Sequence, residues 1–157
     1  MHASEFDEGE FFQALWSGGT RLLLIGRRAL VALGLPVLTA DYDLWVHADD
    51  IAMLNQSAAA FGLAANRTPE DARGVGRYVL ENDEHVDVLV ARSVPTQDGV
   101  RVEFEAVWAR RMTLRYDERV DILVPCIDDL ILTKQWALRD KDLADIKLLQ
   151  ALKAARS

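Results

Sequence analysis

Two aspartates two residues apart, Asp41 and Asp43, interrupt the apolar run from Val37 to Val46. No other feature of the chain narrows the fold as much. A run of this kind following Gly34-Leu35-Pro36 reads as a strand. Strand side chains alternate faces, so the spacing predicts Asp41 and Asp43 on one side of a sheet and Tyr42, Leu44 and Val46 on the other. Two carboxylates on one face of a half-buried strand repel each other and lose hydration. A divalent cation is the strongest compensator, and oxygen-only donors select Mg²⁺, Mn²⁺ or Ca²⁺ over softer metals. Taken alone, the pair also reads as two solvated acids at a strand end.

The surroundings sharpen the choice. Leu22-Leu23-Leu24-Ile25 reads as a short buried strand running into Gly26, and Arg27 to Leu33 as a short helix stopped at Gly34. Gly26 either just ends the strand or lets an anion approach backbone N–H groups at the start of that helix. A third acid, Asp87, lies in the strand-like run His85 to Val90. If the two acidic strands are neighbours, three carboxylates converge. Two oxygen-bound metals about 3.5–4 Å apart would then clamp an in-line phosphoryl displacement. His85 shares the face of Asp87 and reads as a residue of the sheet rim.

This order of residues resembles the signature of the nucleotidyltransferase superfamily with the DNA polymerase beta-like fold. That signature is an apolar residue, Gly, then Gly or Ser, a spacer of about a dozen residues, Asp-x-Asp on a strand, and a later acid. The match is Ile25-Gly26-Arg27, a spacer from Arg28 to Ala40, Asp41-Tyr42-Asp43, and Asp87. A subgroup containing abortive-infection toxins and uncharacterised relatives adds a Thr two places before the first Asp, here Thr39. It also adds a C-terminal Lys followed by Arg-x-Lys-Asp-x-x-Asp-Ile, here Lys134, Arg139, Lys141-Asp142 and Asp145-Ile146. The resemblance spans roughly residues 20 to 150.

The resemblance implies an α/β (α+β) fold with a small, mixed, twisted sheet flanked by helices and a C-terminal helix pair. It implies transfer of a nucleoside monophosphate from an NTP, ATP among them, to a hydroxyl acceptor with release of pyrophosphate. Asp41 and Asp43 would hold two Mg²⁺ (or Mn²⁺) ions, and Asp87 would hold one and help deprotonate the acceptor. Gly26, Arg27, Thr39, Lys134 and Arg139 are the expected nucleotide and phosphate contacts. The acceptor stays open among an RNA end such as that of tRNA, a protein hydroxyl and a small aminoglycoside-like molecule. Two positions depart from the pattern: Arg27 stands where the family has Gly or Ser, and Val37 where relatives often have Arg. Arg27 either blocks the phosphates or supplies a cationic contact of its own. The alternative reading is a catalytically silent binding or regulatory protein of the same fold, such as one half of a toxin–antitoxin pair with a cognate partner protein. A purely structural domain with a solvated acidic rim is a third.

Bulk properties set the frame. At 157 residues, half of them apolar, the chain is expected to form one domain over residues 1–157, with a core at about 20–125 and C-terminal helices at about 127–155. No apolar run approaches the roughly 20 residues that span a bilayer, and the acidic start from Met1 to Glu10 is unlike a signal peptide. The single cysteine, Cys126, excludes an intramolecular disulfide and suits the cytoplasm; in its apolar stretch it reads as a small buried hydrophobe. A net charge of −7 argues against broad nonspecific binding to DNA, but not against a nucleotide that arrives with Mg²⁺.

Periodicity supplies the remaining elements. Ala3 to Ser17 reads as an amphipathic helix with Phe6, Phe11 or Phe12, Leu15 and Trp16 on its apolar stripe. Asp49 or Asp50 is expected to cap a helix ending at Ala60. Asn66 to Gly76 and Ser93 to Gly99 read as loops. Tyr78–Glu81 with His85–Ala91 predicts a hairpin, Phe104–Arg111 a short helix or turn, and Met112–Tyr116 with Val120–Val124 a strand pair. Ile127–Leu138 and Lys141–Ala155 predict two helices kinked near Arg139-Asp140. Arg139 and Lys141 are expected to pair locally with Asp140, Asp142 and Asp145, whereas Lys134, after Leu130 and Ile131, has fewer acids nearby. Trp45, Trp108 and Trp136 read as core or rim aromatics.

Overall fold

A computed structural model describes residues 6–156. In chain order the elements are α1 (Glu8–Trp16), β1 (Leu22–Ile25), α2 (Gly26–Ala32), β2 (Tyr42–Val46), α3 (Ile51–Ala59), β3 (Ala64–Ala65), α4 (Pro69–Val75), β4 (Arg77–Glu81) and β5 (His85–Leu89). They continue with β6 (Ser93–Pro95), β7 (Arg101–Glu103), α5 (Phe104–Ala109), β8 (Met112–Arg115), β9 (Asp121–Val124), α6 (Ile127–Lys134) and α7 (Asp140–Arg156). Five strands form the central sheet in the order β1-β2-β5-β4-β3. The β2–β5 pair is parallel and the other pairs are antiparallel, so the sheet is mixed. Among the described residues, no helix is long and apolar enough to cross a membrane.

Strand alternation divides the sheet into two unlike faces. Leu22, Leu24, Tyr42, Leu44, Val46, Val86 and Val88 point into the larger core, where Phe11, Phe12 and Leu15 of α1, Leu30 of α2 and Ile51 and Leu54 of α3 close over them. Each fully buried side chain of this kind contributes about 1.5–3 kcal/mol relative to exposure. On the opposite face Leu23, Ile25 and Trp45 pack under Phe104 and Val107 of α5 and Val102 of β7. The indole N–H of Trp45 donates to the Ala91 carbonyl at 2.8 Å, which lets so large a side chain be fully buried. This second layer covers only part of its face. The uncovered part carries Asp43 and Asp87.

Four expectations change. The strand from Val37 shortens to Tyr42–Val46, because residues 37–41 make no ladder with a neighbour. The expected loop at Asn66–Gly76 contains α4: the Thr68 hydroxyl accepts from Asp71 N–H at 3.2 Å, Pro69 occupies the first turn, and Gly76 closes the helix at φ 92°. The expected loop at Ser93–Gly99 contains β6, paired with β7. Asp50 precedes α3 but does not cap it with its side chain, because Arg21 takes both carboxylate oxygens at 2.9 Å. The N-terminal helix covers Glu8–Trp16, with residues 3–5 of its expected span outside the described range. The kink between the last two helices falls at Leu138, which takes a positive φ of 51°.

Candidate active site

The open part of the second sheet face is the floor of a cleft of about 550 Å³. Register builds the floor residue by residue. Ile25 of β1, Asp43 of β2, Asp87 of β5 and Val79 of β4 are successive cross-strand partners in one row. Asp43 and Asp87 are therefore side by side on adjacent parallel strands, about 4.8 Å apart at the backbone. Gly26 follows Ile25 with φ 69°, and any β-carbon there would collide with Oδ2 of Asp43. Glycine at this point serves both the left-handed backbone and the room for the carboxylate.

Asp43 is the most perturbed acid of the cleft. Burial, then the nearby charge of Asp87, then that of Asp41 raise its pKa from 3.8 to about 6, against the lowering influence of Lys134 and Lys141. Asp87 is half exposed, with Oδ1 3.1 Å from Nε2 of His85. Asp41 lies just outside the strand and is exposed, yet it lines the same cleft. The approach to it is held in place: Asp41 N–H donates to the Thr39 hydroxyl at 3.0 Å, and Arg28 donates to the carbonyls of Asp41 and Thr39 at 3.2 and 3.1 Å. Arg28 is in turn fixed by Glu8 at 3.2 Å and lies over the Tyr42 ring. Sequence reading gave Arg28 no part in the site. It orients the acidic segment through backbone contacts that no local pattern encodes.

One group of the cleft's cations comes from the C-terminal part of the chain, with Lys134 on α6, Lys141 on α7 and Arg139 between them. Lys134 is buried and pairs with the fully buried Asp145 at 3.0 Å. Arg27 reaches the same carboxylate in bidentate fashion, Nε and Nη2 both at 3.1 Å, and donates to the Leu38 carbonyl at 3.3 Å. Arg27 thus neither pairs with Asp41 or Asp43 nor points freely at the cleft; it ties α2 to α7. The pairing of Lys134 with Asp145 crosses from α6 to α7, whereas Arg139 pairs locally with Asp142 at 2.9 Å. Asp145 had a sequence signal of its own. Asp142, Asp145, Ile146 and Leu149 form the buried stripe of α7, and two acids on a buried stripe require buried partners. Gly26, Arg27, Thr39, Lys134, Arg139 and Lys141 all line the cleft. Trp136 lines it too, with a buried indole nitrogen that has no hydrogen-bond partner among the described residues.

The donor set suits a hard cation. It consists of carboxylate oxygens only, and Asp43 is held at a raised pKa that a cation would relieve. Among the described residues, no three His, Cys, Asp or Glu side chains form a ready-made metal cage. That arrangement fits Mg²⁺, which binds through one or two carboxylates plus water and substrate phosphates, better than it fits a closed structural site.

No protein-family model matches the chain, and no curated protein matches its sequence. Solved structures do match its fold. The lincosamide antibiotic adenylyltransferase LnuA, in its lincomycin-bound structure, aligns over 94% of this chain and 98% of its own, with a TM-score of 0.62 and 16% identity. A provisionally assigned nucleotidyltransferase from Thermotoga maritima aligns over 94% of this chain and 86% of its own, with a TM-score of 0.52 and 14% identity. The chain has the nucleotidyltransferase fold, a mixed sheet flanked by helices.

Proposed function

We propose that the chain is a nucleotidyltransferase domain that moves a nucleoside monophosphate from an NTP to a hydroxyl acceptor. The observation that carries this reading is the side-by-side pair Asp43 and Asp87, on adjacent parallel strands at the base of a cleft whose other wall is cationic. Mg²⁺ bound at these carboxylates would neutralise the triphosphate and the charge that develops on the leaving pyrophosphate. The chain's own residues divide the remaining work. Asp43, with Asp41 at the mouth, supplies anionic oxygens for the cation. Lys134, Lys141 and Arg139 attract the triphosphate from the α6–α7 side, and Asp145 keeps the Lys134 ammonium in place.

Asp87 is the more exposed of the paired acids and accepts the acceptor's hydroxyl proton. The hydroxyl oxygen forms a bond to the α-phosphorus, the α–β bridging P–O bond breaks, and pyrophosphate leaves with the electron pair. The proton then passes from Asp87 to solvent. Catalysis of this type rests on positioning and charge, so loss of either paired carboxylate abolishes turnover.

The test incubates the protein with each α-labelled NTP and Mg²⁺ in a cell lysate, with Asp43→Asn as the control. A labelled acceptor that needs Asp43 supports the reading. Absence of labelling, together with no stabilisation of the protein by Mg²⁺ and any NTP, overturns it.

A further inference from the structure

We infer that the acceptor is a phosphate-bearing hydroxyl compound, held by Arg67 and Arg77 on the side of the cleft away from the triphosphate. This rests on the nucleotidyltransferase reading and extends it to the second substrate.

The cleft contains two separate groups of cations. One comes from α6 and α7, and its members Lys134 and Lys141 bear directly on Asp43. The other lies across the carboxylates, at the β3–β4 edge of the sheet. Arg77 faces Leu89 across the β4–β5 ladder, so it sits one strand over and two residues along from Asp87, on the same sheet face. Strand spacing and rise place the two backbones about 8 Å apart, within reach of an arginine side chain. Arg67 joins it from the turn before α4, where its guanidinium donates to the Arg77 carbonyl at 3.0 Å. Both line the cleft.

Neither arginine forms an ion pair with any described residue, although acids outnumber basic residues 25 to 18 in this chain. The contrast inside the same cleft is plain. Arg27, Lys134 and Arg139 each have a carboxylate within 3.1 Å, while Lys141 and the two β4-side arginines form no ion pair among the described residues. Unpaired guanidinium groups beside the acid that receives the hydroxyl proton suit an anion carried close to that hydroxyl. Phosphate is the anion whose geometry best matches the guanidinium fork. The end of an RNA strand and a sugar phosphate share this chemistry. The overall charge of −7 confines attraction for such a ligand to this local patch.

The test measures binding of three probes to the full chain with Mg²⁺, both alone and with a non-transferable NTP analogue: a short oligoribonucleotide, ribose 5-phosphate and ribose. The wild type binds at least one phosphate-bearing probe about tenfold or more tightly than ribose, the ratio expected from charged hydrogen bonds. The better of the two phosphate probes identifies the source. Arg67→Ala with Arg77→Ala lowers that affinity by about tenfold and changes NTP analogue affinity by less than about twofold. Arg67→Lys with Arg77→Lys keeps the charge but not the fork and retains only part of the binding, more than the alanine pair, which separates a lost contact from a lost fold. Three results overturn the inference: equal binding of ribose and both phosphate probes, including none of any; no effect of the alanine pair; or an equal loss of NTP affinity, which would put the arginines in the triphosphate site. Failure of the wild type to bind NTP analogue overturns the nucleotidyltransferase reading instead, and the probe arm without NTP still reads the arginines.

Discussion

Asp43→Asn should stabilise the metal-free protein. The native state raises the Asp43 pKa from 3.8 to about 6 through burial and the charges of Asp87 and Asp41. A carboxylate raised by about two pH units costs about 3 kcal/mol when ionised, and its partial exposure reduces that to about 2 kcal/mol. The sign follows from proton counts. Between pH 3.8 and about 6 the unfolded chain has released the proton and the native chain still holds it. Stability contributed by this group therefore falls as pH rises through that window, and the full cost is present above it. Asparagine keeps the shape beside Gly26 and removes the charge. The variant should melt about 4–8 °C above wild type near pH 8 in chelator, given about 2–4 °C per kcal/mol for a domain of this size. The advantage should vanish near pH 4, where wild-type Asp43 is protonated. Mg²⁺ should also narrow it, by stabilising wild type alone. The assay is thermal unfolding by circular dichroism at both pH values, with and without Mg²⁺. A variant no more stable than wild type near pH 8, or an advantage independent of pH, would refute the reasoning that the carboxylates of this cleft are electrostatically strained.

Other perturbations test separate parts of the structure. Asp145→Asn leaves the buried Lys134 ammonium without its counter-charge; Arg27 can turn to solvent, so the loss should be about 3 kcal/mol, at the low end for breaking a buried pair, seen as a lower denaturant midpoint. A midpoint within error of wild type would mean that the Arg27–Asp145–Lys134 cluster holds nothing together. Gly26→Ala forces a β-carbon onto Asp43 at a positive φ; it should cost about 1–2 kcal/mol in chemical denaturation, the penalty of a left-handed non-glycine residue, and should abolish stabilisation by Mg²⁺. Leu138→Gly should relieve the positive φ between α6 and α7 and raise stability by up to about 1 kcal/mol, reduced by the added freedom of the unfolded chain; a clear loss of stability would show that the Leu138 side chain matters more than its backbone.

The local pattern determined most of the elements and the identity of the acids. Period-two alternation at Tyr42-Asp43-Leu44-Trp45-Val46 is enough to put Asp43 opposite the core residues, because side-chain direction along a strand is a local property. The strand–glycine–helix order at Leu22 to Ala32, the hairpin of β4 and β5, and a break between the last two helices, expected near Arg139-Asp140 and found at Leu138, were legible for the same reason. Thr68-Pro69-Glu70-Asp71 before Gly76 also carried a readable helix start and stop, so α4 was legible in principle. Tertiary structure decided what no window of sequence contains. That β2 and β5 are parallel neighbours in a register that sets Asp43 beside Asp87 depends on an intervening hairpin partner, β4, and on packing against α1 and α3. That Arg27 reaches Asp145 across 118 positions, rather than the nearby Asp41 or Asp43, depends on where α7 lies. Likewise, Arg67 and Arg77 are ordinary polar positions in sequence; only the sheet edge brings them to the cleft. Strand and helix periodicities fix which way a side chain faces, but the partner it meets is fixed by the packing of elements distant in the chain.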